Sequence, residues 1–105
     1  MSRYILSRIA QQDLVEIRDY YFEQGSPRAA RKMLVDFVGA FRSIGKTPGM
    51  GHKRKDLAEH RPVLFWPVRD YLIVYRADRK PIEIVTVVRG SRDVPAVLER
   101  VSRLS

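Results

Sequence analysis

Two amphipathic helical patterns, separated by a short break, constrain the fold of this chain more than any other feature. The first pattern consists of Ala10, Leu14, Ile17 and Tyr21, and the second of Ala30, Leu34, Phe37, Phe41 and Ile44. Gly25 is expected to end the first helix in the left-handed conformation, and Ser26-Pro27 to cap and begin the second. So short a connection predicts an antiparallel helical hairpin whose apolar stripes face one core.

Apolar runs rich in β-branched and aromatic residues predict strands on both sides of the hairpin. A short run, Tyr4-Ile5-Leu6, precedes Ser7, a suitable helix N-cap. Three runs follow the hairpin, at 63–66 (stopped by Pro67), 71–76 and 82–89. Their short connections predict an antiparallel meander. The alternation in the last run predicts one buried face formed by Ile82, Ile84, Thr86 and Val88.

The remaining segments complete the predicted order β-α-α-β-β-β-α. Residues 45–62, rich in Gly and Pro and carrying a basic run, are expected to form a loop or a ragged strand with a turn. Asp93 can cap a last helix, whose apolar stripe is Val94, Val97, Leu98, Val101 and Leu104. Periodicity leaves open whether this stripe closes the core or binds a partner. The sequence thus predicts a single α+β domain over 1–105: an N-terminal strand, an antiparallel helical hairpin packed on an antiparallel β-sheet, and a short C-terminal helix.

The charge and composition restrict the classes of function. Twenty Lys and Arg against twelve Asp and Glu give a formal net charge of +8. Such a field attracts nucleic acids and acidic protein segments alike, so charge does not choose between them. The absence of cysteine excludes disulfides and thiolate chemistry. No stretch reaches the roughly 20 apolar residues of a membrane span, so we expect a cytoplasmic protein without a membrane partner.

Several motifs, taken in order along the chain, resemble the ParE branch of the RelE/ParE toxin superfamily. They are Ala10-x-x-Asp13-Leu14-x-x-Ile17-x-x-Tyr20-Tyr21, Ser26-Pro27-x-Ala29-Ala30, Pro48-x-x-Gly51, Arg61, the run 71–76 and the run 84–93. The resemblance implies a toxin of a type II toxin–antitoxin pair, held by a ParD-like antitoxin whose C-terminal segment folds over the hairpin and sheet. It also implies a higher-order toxin–antitoxin oligomer and, for the ParE branch, DNA gyrase as the target. Members of the RelE branch instead cut mRNA on the ribosome.

The chemistry of RNA cleavage separates the two branches. Cleavage needs a base, an acid and cations that stabilise the phosphorane. RelE-like nucleases supply a C-terminal aromatic or histidine, and this chain has neither Tyr nor His after Arg89. The two histidines, His52 and His60, are each more typical of polar surface residues than of a general base. We therefore expect a binding toxin with no catalytic residue, no metal and no cofactor.

The alternatives remain a ribosome-dependent mRNA endonuclease and a non-toxic basic nucleic-acid-binding module. Direct nucleic-acid binding is left open but is not expected to be the primary activity. One aromatic residue of the run Tyr20-Tyr21-Phe22 must point outward, because three consecutive helical positions cannot share a face. The candidate antitoxin- or target-binding residues are Tyr20, Lys53, Arg54, Arg61, Trp66, Arg76, Arg89 and Arg92.

Overall fold

The order of helices and strands confirms the predicted α+β class. The structure is a computed structural model that describes residues 3–58 and 61–104, with only the backbone of residue 104. Its elements are β1 (Tyr4–Leu6), α1 (Arg8–Gln24), α2 (Pro27–Lys46), a 3-10 turn (Pro48–Met50), α3 (Lys55–Ala58), β2 (Leu64–Val68), β3 (Tyr71–Arg76), β4 (Ile82–Arg89) and α4 (Val94–Leu104).

The helical hairpin begins and turns largely as its sequence predicts. The Ser7 hydroxyl accepts a hydrogen bond from the N–H of Ala10 at 3.0 Å, and Ser26 caps α2 in the same way. Gly25 ends α1, but the expected left-handed conformation is wrong, since its φ is −125° and its ψ −95°. Glycine is favoured there by space, because a Cβ would lie 3.0 Å from the carbonyl oxygen of Tyr21.

The four strands form one sheet in the order β1-β4-β3-β2. β2, β3 and β4 make the predicted antiparallel meander, and β1 adds parallel to β4. The prediction that Pro67 stops the second strand is wrong, because β2 continues through it to Val68. Proline is tolerated there because β2 is an edge strand.

A β-bulge in β4 overturns the predicted alternation of that strand. The register steps from Val74 opposite Thr86 to Tyr75 opposite Ile84, which leaves Val85 without a partner residue in β3. The Ser7 hydroxyl donates to the carbonyl of this bulged residue at 2.7 Å. The extra residue inverts the side-chain parity, so Ile82, Ile84 and Val87 share one core and Val88 belongs to another.

The sheet is covered on both faces, so the fold has three layers. The hairpin covers one face, where its buried residues include Phe37, Phe41 and Ile44. On the other face α4 buries Val94 and Leu98 against the sheet. The apolar stripe of the tail therefore closes a second core within the chain; the side chain of Leu104, also assigned to that stripe, lies outside the described residues.

The segment expected to be a loop is more ordered than predicted, because it contains the 3-10 turn and α3. Tyr75 fixes its start: the phenolic oxygen accepts from the N–H of Gly51 at 2.8 Å, and the hydroxyl donates to the carbonyl of Pro48 at 2.6 Å. Next, His52 and Phe65 exchange two backbone hydrogen bonds of 2.8 Å. The basic run that follows is thereby tied to the edge of the sheet.

Candidate partner-binding surfaces

Arg89, at the end of β4, is held between two aromatic rings. Its guanidinium carbon lies 5.5 Å from the centre of the Tyr20 ring and 5.6 Å from that of Tyr71. Tyr20 meets Tyr21 edge-to-face at 5.1 Å. A guanidinium at these distances is attracted by the π faces, which orient its planar fork. Arg89 is therefore a positioned cation.

A hollow opens beside this arginine, between α1, β4 and the start of α4. We call it the tyrosine–arginine hollow; its lining includes Asp13, Glu16, Tyr20, Tyr71, Arg89 and Arg92. Oδ2 of Asp13 accepts from the Thr86 hydroxyl at 2.6 Å and from the N–H of Val87 at 2.9 Å. This carboxylate fastens α1 to β4 and so helps to fix the helix that carries Tyr20.

The surroundings shift the pKa values of three side chains in the hollow. Burial raises the pKa of Asp13, although its hydrogen bonds to Thr86 and Val87 act in the opposite direction. Burial likewise raises the pKa of Tyr71 above its usual value. The pKa of Arg89 is raised, first by interaction with the Tyr20 side chain and then by Tyr71. The hollow therefore combines a permanent cation with a neutral phenol at physiological pH.

A second surface, the basic strip, follows the segment before β2, the end of β3 and the start of β4. Its cations are Lys53, Arg54, Lys55, Arg61, Arg76 and Arg79, which line two adjoining hollows that share Arg61, Pro62 and Val63. The guanidinium of Arg54 donates two hydrogen bonds, of 3.0 and 2.8 Å, to the carboxylate of Asp56. Arg76 is paired with Asp78 in the same manner.

The third surface is an apolar groove on the outer side of the hairpin, which we call the outer groove. Its apolar lining includes Phe22, Pro27, Ala30, Leu34, Val35 and Val38, and its cations are Arg18, Arg31 and Arg42. Phe22 is 56% exposed and Val35 63% exposed. No carboxylate is found among the described residues that line it. An apolar floor with a cationic rim is suited to an amphipathic, acidic segment.

The candidate residues from the sequence divide between these surfaces. Tyr20, Arg89 and Arg92 line the tyrosine–arginine hollow, whereas Lys53, Arg54, Arg61 and Arg76 line the basic strip. The two surfaces adjoin, since Arg54 also borders a depression beside Arg89.

The aromatic and histidine candidates have different surroundings. Trp66 belongs to neither surface. It is partly buried against the core between the hairpin and the sheet, and its ring stacks on that of His52 with 5.8 Å between the ring centres. His60 lies outside the described residues. Of the run of three aromatics, Tyr21 packs on the core while Tyr20 and Phe22 both face outward.

The outer groove was not predicted from the sequence. Leu34 was assigned to the core stripe, yet it is only partly buried and lines the groove. The available signal was the pair Val35 and Val38, which are apolar but fall outside the stripe of α2. Lys55 and Arg79 of the basic strip were also absent from the candidates.

The part of the chain that the structure describes contains neither a metal-binding cluster nor a membrane-spanning helix. Within 3–58 and 61–104, no group of three or more His, Asp or Glu is arranged to hold a metal ion. None of the helices in these ranges has the length and apolar character needed to cross a membrane.

The architecture is that of the ParE-type α+β toxins. A solved structure titled "Chromosomal ParDE TA system from P. aeruginosa" is similar to this chain with a TM-score of 0.70 and 25% sequence identity, covering 85% of this chain and 95% of that one. The family described as "ParE toxin of type II toxin-antitoxin system, parDE" matches residues 4–94. The chain therefore belongs to the ParE toxin family, as its motifs predicted. Among curated proteins, no sequence matches it significantly.

Proposed function

We propose that this toxin inhibits DNA gyrase by binding it, and that a ParD-like antitoxin neutralises it in the cytoplasm. The observation that carries the proposal is the tyrosine–arginine hollow. Arg89 is oriented by Tyr20 and Tyr71, and arginine and tyrosine are the residues that most often anchor protein interfaces. A cation held against two aromatic rings favours recognition of an acidic or planar group on a partner.

The side chains around Arg89 are poorly suited to proton transfer. Oδ2 of Asp13 already accepts two hydrogen bonds, and Tyr71, with its raised pKa, stays a phenol at neutral pH. No histidine occurs among the described residues of the hollow, and the sequence after Arg89 contains neither His nor Tyr. The described residues of the hollow therefore lack a histidine, the side chain that most often acts as a general base.

The outer groove supports the proposed antitoxin. Its exposed Phe22 and Val35 offer anchor positions for apolar side chains, and the rim of arginines would attract acidic residues beside them. A disordered, acidic, amphipathic segment that folds on binding would satisfy both features. Since both proposed partners act in the cytoplasm, we propose that the toxin acts there too.

The proposal is tested by inducing the toxin alone in cells that carry a reporter plasmid. We expect growth arrest, loss of negative supercoiling and a DNA-damage response, and we expect co-expression of the antitoxin to prevent all three. Growth arrest with normal plasmid topology and intact DNA would contradict gyrase as the target.

A second candidate function is ribosome-dependent mRNA cleavage. It is favoured by the basic strip, where Lys53, Arg54 and Arg61 line one hollow and could stabilise phosphorane charge. Primer extension on ribosome-bound transcripts during induction decides the matter. Intact transcripts in arrested cells would exclude the nuclease, and new 5′ ends at codon boundaries would exclude a toxin that only binds gyrase.

A further inference from the structure

The basic strip carries more positive charge than its own acids neutralise. Arg54 and Arg76 are each paired with an aspartate two residues further along the chain, and Arg79 lies 3.8 Å from Glu83. Lys53 and Lys55 are exposed, and no described carboxylate is within ion-pair distance of either.

Arg61 is a third cation of the strip, and among the described residues its side chain contacts an uncharged group. Its guanidinium contacts the Ser102 hydroxyl, a neutral partner that leaves its charge in place. It borders both hollows of the strip, so it links the lysines on one side with Arg76 on the other. Lys53, Lys55 and Arg61 together form a continuous cationic surface.

The uncharged side chains of the strip narrow the kind of polyanion it fits. The described residues that line its two hollows include no Phe, Tyr or Trp, so these residues offer no stacking platform of the kind typical of single-strand binding. They also include no Ser, Thr, Asn or Gln, the neutral groups suited to RNA 2′-hydroxyls and to base edges. The other lining residues are aliphatic side chains and two carboxylates, Asp78 and Glu83, which are paired with Arg76 and Arg79. The cations that remain suit phosphates read by charge alone.

We propose that the basic strip binds the phosphate backbone of duplex DNA without reading its sequence. Lys53, Lys55 and Arg61 make the contacts, and each releases condensed counterions from the duplex. This binding requires no gyrase, so its failure would leave the proposed target untouched. The protein would gain a second hold on any partner that is itself bound to DNA.

The test is fluorescence anisotropy of a labelled DNA duplex of mixed sequence, titrated with the whole chain between about 50 and about 200 mM salt. The strip variant replaces Lys53, Lys55 and Arg61 with alanine. Its slope of log affinity against log salt should be shallower than that of the unmodified chain by roughly 2.7. The matched control replaces Arg18, Arg31 and Arg42 with alanine. This change lowers the formal charge by the same amount but should leave the slope nearly unchanged.

A second variant separates the loss of DNA contacts from misfolding. It is needed because Arg61 also contacts α4 through Ser102, so its replacement could disturb the fold. Lys53→Ala with Lys55→Ala keeps that contact and should make the slope shallower by roughly 1.8. An equal change in the control variant would overturn the proposal, as would an affinity that hardly responds to salt. Tighter binding of a single strand or of an RNA duplex than of duplex DNA would also overturn it.

Discussion

The backbone N–H of Gly51 donates to the phenolic oxygen of Tyr75 at 2.8 Å, and this contact joins the segment after α2 to the centre of the sheet. Tyr75 is fully buried, and its hydroxyl also donates to the carbonyl of Pro48. The spacing Pro48-x-x-Gly51 thus has a physical basis, since both residues bind one hydroxyl. The basic run begins directly after this anchor, so the anchor helps to define where the strip lies.

Gly51→Ala should destabilise the fold. A Cβ at this position would overlap the Tyr75 hydroxyl and lie 2.8 Å from a carbon of its ring, closer than such atoms pack. Because the ring is buried and cannot easily move, we expect a loss of about 1–3 kcal/mol in the free energy of unfolding, measured with urea. Gly49→Ala is the matched control, since a Cβ there meets no atom within 4 Å. Equal losses in both variants would contradict this account.

Asp13 should give the stability a measurable pH dependence. Because its folded pKa is raised above 3.8, the unfolded chain loses this proton first as pH rises. At this site the folded state then binds more protons than the unfolded state, so the contribution of Asp13 to the free energy of unfolding falls as pH rises from about 3.8 through the folded pKa. Asp13→Asn removes this contribution while its amide oxygen still accepts from Thr86 and Val87.

Urea unfolding at a series of pH values tests the role of Asp13. The stability of Asp13→Asn relative to the unmodified chain should increase as pH rises from about 3.8 through the folded pKa of Asp13, and should then level off. Asp13→Ala should cost about 1–3 kcal/mol at all these pH values, because the Val87 N–H and the Thr86 hydroxyl lose their partner. A difference between the Asn variant and the unmodified chain that is constant with pH would contradict the raised pKa.

The outer groove should control binding of the antitoxin. Replacing both Phe22 and Val35 with alanine removes two exposed large apolar side chains of the groove, and we expect a loss of about 2 kcal/mol, or roughly thirty-fold in Kd. Calorimetric titration with the antitoxin's C-terminal segment measures the change. Val15→Ala is the control, because Val15 is also exposed on α1 but does not line the groove. Unchanged affinity in the double variant would exclude the groove as the antitoxin site.

Arg89 should be required for inhibition of the target but not for folding. Arg89→Ala should raise the concentration needed for half inhibition of gyrase by roughly thirty-fold. For Arg89→Lys this concentration should lie between those of the unmodified chain and the Ala variant, because lysine keeps the charge and loses the planar group that lies against Tyr20 and Tyr71. The exposed Arg103, paired with Glu99, offers a control of the same residue type. Inhibition that is unchanged in the Ala variant would remove Arg89 from the target-binding surface.

The fold could be predicted from the sequence because its signals are local. The hairpin follows from two apolar stripes and from the caps at Ser7 and Ser26, which act over three residues. The bulge at Val85 could not be predicted, since it depends on a register with β3 and on the Ser7 hydroxyl, 78 residues away. The continuation of β2 through Pro67 could not be predicted for a related reason, because only the strand order shows that this strand lies at an edge of the sheet.

The candidate surfaces were predicted less completely, because a surface is assembled from distant parts of the chain. Arg89 and Arg92 were identified as cations, but their proximity to Tyr20 arises from the packing of α1 on β4. The outer groove needs α1 and α2 side by side before Phe22 and Val35 become one patch.

The most direct test of the central claim is a supercoiling assay with purified gyrase, relaxed plasmid and increasing amounts of the purified toxin. We predict that supercoiling falls in a dose-dependent manner, and that adding the ParD-like antitoxin before the toxin preserves it. The Arg103→Ala variant should inhibit like the unmodified chain. Supercoiling at an unchanged rate with the folded toxin in molar excess over gyrase would contradict the account.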